Sequence, residues 1–222
     1  MSKKIYINPG HSNVDPGAVG YETERTLNVK VSAYMNEYLL KNYNCHTMVT
    51  DGANNSLSAV ANEANNWGAD LFVSNHFNAG GGDGFEALVY SEKRVPLGQI
   101  FEKYVKAAGQ NSRGVKLRPG LAVLRLTNMP AVLNEGAFVD NKKDIEDWND
   151  DAELKKLGIA YARAAAEYLE LEKKTVSPAP SAPEAESTLY CVQVGAFKVK
   201  ANAEAMQKKL TAAGYDAYIT KK

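Results

Sequence analysis

The chain has 222 residues, with 26 Lys and Arg against 26 Asp and Glu and 45% apolar residues, enough for one full core and part of another. A net charge of zero removes the broad basic excess from which nucleic-acid binding starts, so no nucleic-acid partner is expected. No run approaches 18 apolar residues, and Met1-Ser2-Lys3-Lys4 leads into no apolar stretch of signal-peptide length. No membrane partner is therefore expected, and the chain should remain cytoplasmic until a membrane fails.

In chain order, strand-like apolar runs at 4–7, 46–49, 70–74, 86–90, 121–124 and 131–133 interleave with helix-period segments over about 26–42, 55–67, 95–110 and 151–172. Strand and helix alternating in this way predict an α/β fold. The expected architecture is an open, mostly parallel twisted sheet of about six strands with helices on both faces. Cys45 and Cys191 sit in apolar alternations without a CxxC partner, and both are read as reduced, small buried side chains.

The composition shifts over 175–187, where Pro178, Pro180 and Pro183 favour an extended, solvated linker. This linker separates a domain at 1–174 from a tail at 188–222. Residues 1–174 carry 20 basic and 22 acidic side chains, the linker adds Glu184 and Glu186, and the tail sets six Lys against Glu204 and Asp216. Neutrality is therefore an average over unlike parts. Within the tail, a strand over about 189–194, a helix over 201–213 and a strand over 215–219 make one small βαβ segment. The helix would put Ala203, Met206, Leu210 and Ala213 on one face. One such unit buries too little apolar surface to stand alone.

Only three histidines are present, and His11 and His76 each follow a strand-like run directly. Open α/β sheets gather ligands at the carboxyl ends of their strands, so the two imidazoles converge on one crevice. Two imidazoles, a carboxylate and an open fourth position suit catalytic zinc. Glu22 and Glu24, just before and entering the first helix, are both candidates for the carboxylate. Glu135 closes the run Ala131-Val132-Leu133-Asn134 and is placed as a general acid/base. His46 sits inside a strand and is read as structural. The stretch Ala79-Gly80-Gly81-Gly82-Asp83-Gly84 lacks GxxxxGK[ST] and is read as a flexible rim of the groove, not a phosphate loop.

Asn8-Pro9-Gly10-His11, Glu24-Arg25-Thr26-Leu27-Asn28, Ser74-Asn75-His76-Phe77-Asn78-Ala79 and Met129 through Asn141 occur in this order. Together they resemble the four signature blocks of zinc-dependent N-acetylmuramoyl-L-alanine amidases, the amidase-3 family. Arg113-Gly114-Val115-Lys116 followed by Leu121 through Arg125 fits the same pattern, and the likeness spans roughly residues 3–170. The resemblance implies one zinc per chain held by His11, Glu24 and His76, the E-x-x-x-N pattern selecting Glu24 with Asn28 over Glu22. It also implies Glu135 as the catalytic carboxylate and Asn78 as a residue lining the substrate site. The departure is Gly136-Ala137-Phe138, where a second glycine or a small polar residue is more usual. The implied reaction is hydrolysis of the amide between the lactyl group of N-acetylmuramic acid and L-alanine in peptidoglycan. Zinc would lower water's pKa from about 15.7 towards 7. A zinc carboxypeptidase or endopeptidase on stem peptides, or a non-catalytic wall-binding protein, is the competing expectation.

Val192-Gln193-Val194-Gly195-Ala196-Phe197, Ala201-Asn202-Ala203-Glu204 and Gly214-Tyr215-Asp216-Ala217 resemble the SPOR module, which implies binding to peptidoglycan glycan strands. A full module has about two strand-helix-strand units and this tail has one, so two tails are expected to pair in a homodimer. A wall enzyme without a signal peptide acts after lysis, either as a phage endolysin or as a sporulation or autolytic amidase.

Overall fold

The computed structural model describes residues 2–53, 56–174, 194–212, 215 and 217–219, in two compact units, Met1–Thr175 and Val176–Lys222. The first unit runs β1 (Lys3–Pro9), α1 (Glu24–Asn42), β2 (Cys45–Val49), α2 (Leu57–Trp67), β3 (Leu71–Asn78), β4 (Phe85–Val89) and a 3₁₀ turn (Glu92–Arg94). It continues through α3 (Val95–Ala108), β5 (Ser112–Leu117), α4 (Ala122–Arg125), β6 (Ala131–Phe138), α5 (Lys142–Glu146) and α6 (Asp151–Tyr168). One six-stranded sheet results, in the order β2-β1-β3-β6-β4-β5. Its pairings are parallel except that of β4 with β6.

Both faces of the sheet are covered, which is why Ile5, Tyr6 and Ile7 are all fully buried instead of alternating with polar residues. Ile5, Ile7, Val73, Val89 and Val132 pack towards α1, α3 and α6, while Tyr6, Phe72, Leu88 and Leu133 pack towards α2 and α4. In α1 the buried stripe Leu27, Val31, Met35 and Leu39 recurs every fourth residue. Gly158 lets α6 lie close against it, since a Cβ there would fall 2.8 Å from the Val31 carbonyl oxygen. Among the described residues, side-chain caps start α2 (Ser56), α5 (Asn141) and α6 (Asp150).

Two elements differ from the sequence expectation. The run 121–124 is the short helix α4, with Leu121 as its N-cap and Val123 and Leu124 buried against the sheet. A brief apolar run fits a buried helical turn as well as a strand. The sixth strand is instead β5, whose Ser112-Arg113-Gly114-Val115-Lys116-Leu117 carries two charges and a glycine because it lies at the sheet edge. Phe85 pairs with Ser112 but Ala87 with Val115, so Arg113 and Gly114 together oppose Glu86 in a β-bulge, with Gly114 at φ 85°.

Because β4 runs against β6, the crevice end of the sheet joins the carboxyl ends of β1, β3 and β6 to the amino ends of β4 and β5. The second unit contains α7 (Lys200–Ala212), on which Ala203, Met206 and Leu210 form a half-buried face. Gln207 Nε2 donates to the Ala217 carbonyl at 2.8 Å. The linker, residues 189–193 of the strand expected over about 189–194, Cys191 and Ala213 lie outside the described residues, and Val194 is not in a strand. Tyr215 and 217–219 carry no strand ladder among the described residues. No helix among the described residues is long and apolar enough to cross a membrane.

Candidate active site

Strand β1 ends at Pro9, and the amide of the following Gly10 donates to the Asn75 carbonyl of β3 at 2.8 Å. That clamp brings the backbone hard against His76: a Cβ on Gly10 would sit 2.2 Å from the imidazole. His11 follows at φ 65°, a left-handed conformation that costs a non-glycine residue energy. Arg25 Nη1 donates to the Pro9 and Gly10 carbonyls at 2.7 and 3.2 Å, and Asn28 Nδ2 donates to Gly10 at 3.2 Å. The pattern Glu24-Arg25-x-x-Asn28 thus contributes a carboxylate and two donors that hold the strained turn.

Glu24 opens α1, where unpaired amides favour an anion. It is buried, and Oε2 accepts from the Ala18 amide at 2.9 Å. His11 Nε2 lies 3.0 Å from Glu24 Oε2, and His76 Nδ1 lies 2.8 Å from Oε1. The donor atoms of all three residues lie within 4.8 Å of one another. Gly17, at φ 70°, closes over them, and a Cβ there would fall 2.5 Å from the His11 ring and 2.6 Å from Glu24. Asp15 Oδ2, at 2.9 Å from His11 Nδ1, leaves Nε2 facing the cluster.

Burial pushes the Glu24 carboxyl up, but the hydrogen bonds from His11 and His76 prevail and hold it well below the usual range. The same bond to Glu24 lifts His11 to about 9 against the opposing effect of burial. Shared charge of this kind is what a cation would supply, and two imidazoles with one carboxylate match a zinc donor set. The residues fit such an ion.

Glu135, on β6, is the register partner of both His76 and Glu86. Its Oε2 is buried without a hydrogen-bond partner among the described residues. Burial, and then the charges of Glu24 and Glu86, push its carboxyl well above the ordinary value. The Tyr161 hydroxyl on α6 is likewise buried and unpartnered among the described residues. A carboxylate with an open oxygen beside a metal-type cluster can accept a proton from water and pass it on.

His11, Glu24, His76 and Glu135 are brought together as expected, although His76 lies within β3 instead of after it. Glu22 stands outside the cluster. Asn78 contacts Glu86, Nδ2 to Oε2 at 3.5 Å, and its Oδ1 accepts from the Ala79 amide. His46 is exposed on the edge strand β2, and Cys45 is a free, half-buried thiol. The glycine-rich rim is tied down: Asp140 accepts from the Gly80 and Gly81 amides, Asp144 accepts from Gly84, and Asn141 donates to the Gly82 carbonyl. Asp15, Glu86 and Arg113 went unassigned in the sequence. Only the four-residue step from His11 to Asp15 and the Arg113-Gly114 pair hinted at them.

Residues 5–167 match the family described as N-acetylmuramoyl-L-alanine amidase, and residues 186–222 match the SPOR domain. The sporulation-specific N-acetylmuramoyl-L-alanine amidase of Bacillus subtilis (strain 168) is 35% identical, over 97% of this chain and 84% of its own length. The endolysin of Bacillus phage SPP1 is 33% identical, over 81% of this chain and 71% of its own. Among solved structures, the catalytic domain of CwlV, an N-acetylmuramoyl-L-alanine amidase from Bacillus (Paenibacillus) polymyxa var. colistinus, superposes with a TM-score of 0.72 at 27% identity. That match covers 77% of this chain and 99% of the other.

Proposed function

Because the chain belongs to the N-acetylmuramoyl-L-alanine amidase family, we propose that it hydrolyses the amide between N-acetylmuramic acid and L-alanine in peptidoglycan. In this reading His11, Glu24 and His76 hold one zinc ion and Glu135 is the catalytic carboxylate. The observation that carries it is the buried, unpartnered Glu135 oxygen beside the His11, Glu24 and His76 cluster. When bound, zinc supplies Lewis acidity that polarises the scissile carbonyl and lowers the pKa of water towards about 7.

The chain's own residues do the rest. Asp15 orients His11, and the Ala18 amide orients Glu24. Glu135 takes the proton from water as the C–O bond forms. It then delivers that proton to the nitrogen as the C–N bond breaks, leaving a lactyl carboxylate and a free L-alanine amine. Burial that keeps Glu135 ready to hold a proton serves the second half of this cycle.

In the full chain, Glu135→Gln is expected to lower release of stem peptides from purified walls by at least about 100-fold while the chain retains one zinc. Full residual activity would remove Glu135 from the mechanism. New amines on residues other than L-alanine would point to a stem-peptide peptidase instead.

The 186–222 segment carries SPOR-type wall binding, and pairing of two such segments in a homodimer is part of the proposal. Its support is the SPOR match over 186–222, a stretch whose sequence reads as one strand-helix-strand unit, together with exposed apolar side chains, Val194 at 63%, Phe197 at 42% and Tyr215 at 66%. Six lysines suit an anionic wall. Phage lysis and sporulation or autolysis are both settings in which such an enzyme reaches its substrate.

A further inference from the structure

His76, Glu135 and Glu86 are register partners across β3, β6 and β4, so their side chains share one face of the sheet. The bulge in β5 extends that row by one more charged group: Arg113 Nε lies 2.7 Å from Glu86 Oε1. An extra residue re-aims a side chain, and here it sets the guanidinium beside a buried carboxylate. Glu86 is 7% exposed and is held from its other oxygen by Asn78. The guanidinium also lies 5.3 Å from the centroid of the Phe138 ring. That ring is packed so closely on Gly82 that a Cβ there would fall 2.3 Å from it. Phe138 closes the stretch Gly136-Ala137-Phe138 in which the last block departs from the family pattern, and its ring supports Arg113.

Arginine has five N–H donors in a planar fork. Among the described residues Glu86 engages only Nε, so both terminal nitrogens remain on a side chain that is 44% exposed. A guanidinium fixed in this way is preorganised to grip a carboxylate with two parallel bonds. Arg113 stands two strands from Glu135, with neighbouring strands about 4.8 Å apart, and its guanidinium reaches back to Glu86, so it lies on the order of 5 to 10 Å from Glu135. An extended peptide covers about 3.3 to 3.6 Å per residue. The group that Arg113 can hold is therefore about two residues along from the amide cleaved at Glu135.

We propose that Arg113 is a specificity-determining residue that receives the free carboxylate of the second residue of the stem peptide. Amidation of that carboxylate removes a charge and an acceptor oxygen, so the residue discriminates between wall chemotypes. The inference rests on the His76 and Glu135 crevice being the amidase centre. A carboxylate on the third stem residue offers the same chemistry one step further away.

The test is steady-state kinetics of the full chain on three matched soluble muropeptides: one unamidated, one amidated at the second residue and one amidated at the third. The unamidated substrate should exceed the second-residue amide by about 10- to 100-fold in kcat/KM. Arg113→Gln should bring that ratio close to 1, and Arg113→Lys should leave an intermediate ratio, with all variants matched for thermal melting. A wild type that does not discriminate, or a ratio unaltered in Arg113→Gln, overturns the proposal. Discrimination that follows the third residue overturns the two-residue assignment. Glu135→Gln run on the same three substrates separates the failures. If it turns all of them over, the amidase-centre reading has failed, whatever the Arg113 ratio shows.

Discussion

Glu135 is held in a place that suits its chemistry and costs the fold. Burial and the charges of Glu24 and Glu86 raise its folded pKa above the unfolded value of about 4.3. Between those two values the folded chain binds the proton more fully than the unfolded chain. Its contribution is therefore intact below the unfolded pKa and is lost as pH rises through the folded one. Replacing the carboxyl with an amide removes that loss. Metal-free Glu135→Gln should consequently melt a few degrees higher than metal-free wild type near pH 7.5, the gap closing towards about pH 4. A scanning-calorimetry series showing no gain at the higher pH would contradict the assignment of a strained, buried charge. His11, at φ 65°, tells the same story in the backbone, because Arg25 and Asn28 hold a conformation that the local sequence does not favour.

Helices α1 and α6 matter to the site because Glu24 is the first residue of α1. Their close approach depends on Gly158, where a Cβ would meet Tyr34 Cβ at 2.7 Å and the Met35 amide nitrogen at 2.9 Å. Gly158→Ala should lower stability by about 1 to 3 kcal/mol through overpacking, despite the better helix propensity of alanine. Urea unfolding measures this, and a stabilised variant would show that the helices have room to part. At this scale the sequence was uneven in what it disclosed. The hydrophobic runs of β1, β3 and β6 were plain because two-sided burial leaves uninterrupted apolar stretches. The edge strand β5 was hidden by its charges and its bulge, and α4 borrowed its appearance from a strand because four apolar residues carry no usable period.

For the whole molecule, the amidase match over 5–167 falls in the first compact unit and the SPOR match over 186–222 in the second. The first unit contains both buried clusters of the core, so a chain ending at Lys174 should fold and hydrolyse soluble muropeptides. That shortened chain should lose co-sedimentation with purified walls. The full chain should also sediment at about twice its monomer mass while the shortened chain remains monomeric. Equal wall binding by the two would remove the tail from targeting, and a monomeric full chain would remove the pairing.

By itself the sequence determined the covered sheet, the convergence of His11 and His76 at one end of that sheet, and the family, whose ordered blocks single out Glu24 and Glu135. These are legible because they rest on residue type and order along the chain. Which carboxylates surround Glu135, how Arg25 and Asn28 hold His11, and that the Phe138 ring packs between Arg113 and Gly82 were decided only by the tertiary structure. The reversed β4, which sets Glu86 opposite Glu135, and the bulge, which sets Arg113 against Glu86, join residues 27 and more positions apart. Strand direction and register are settled by packing across the whole sheet, and no local pattern encodes them.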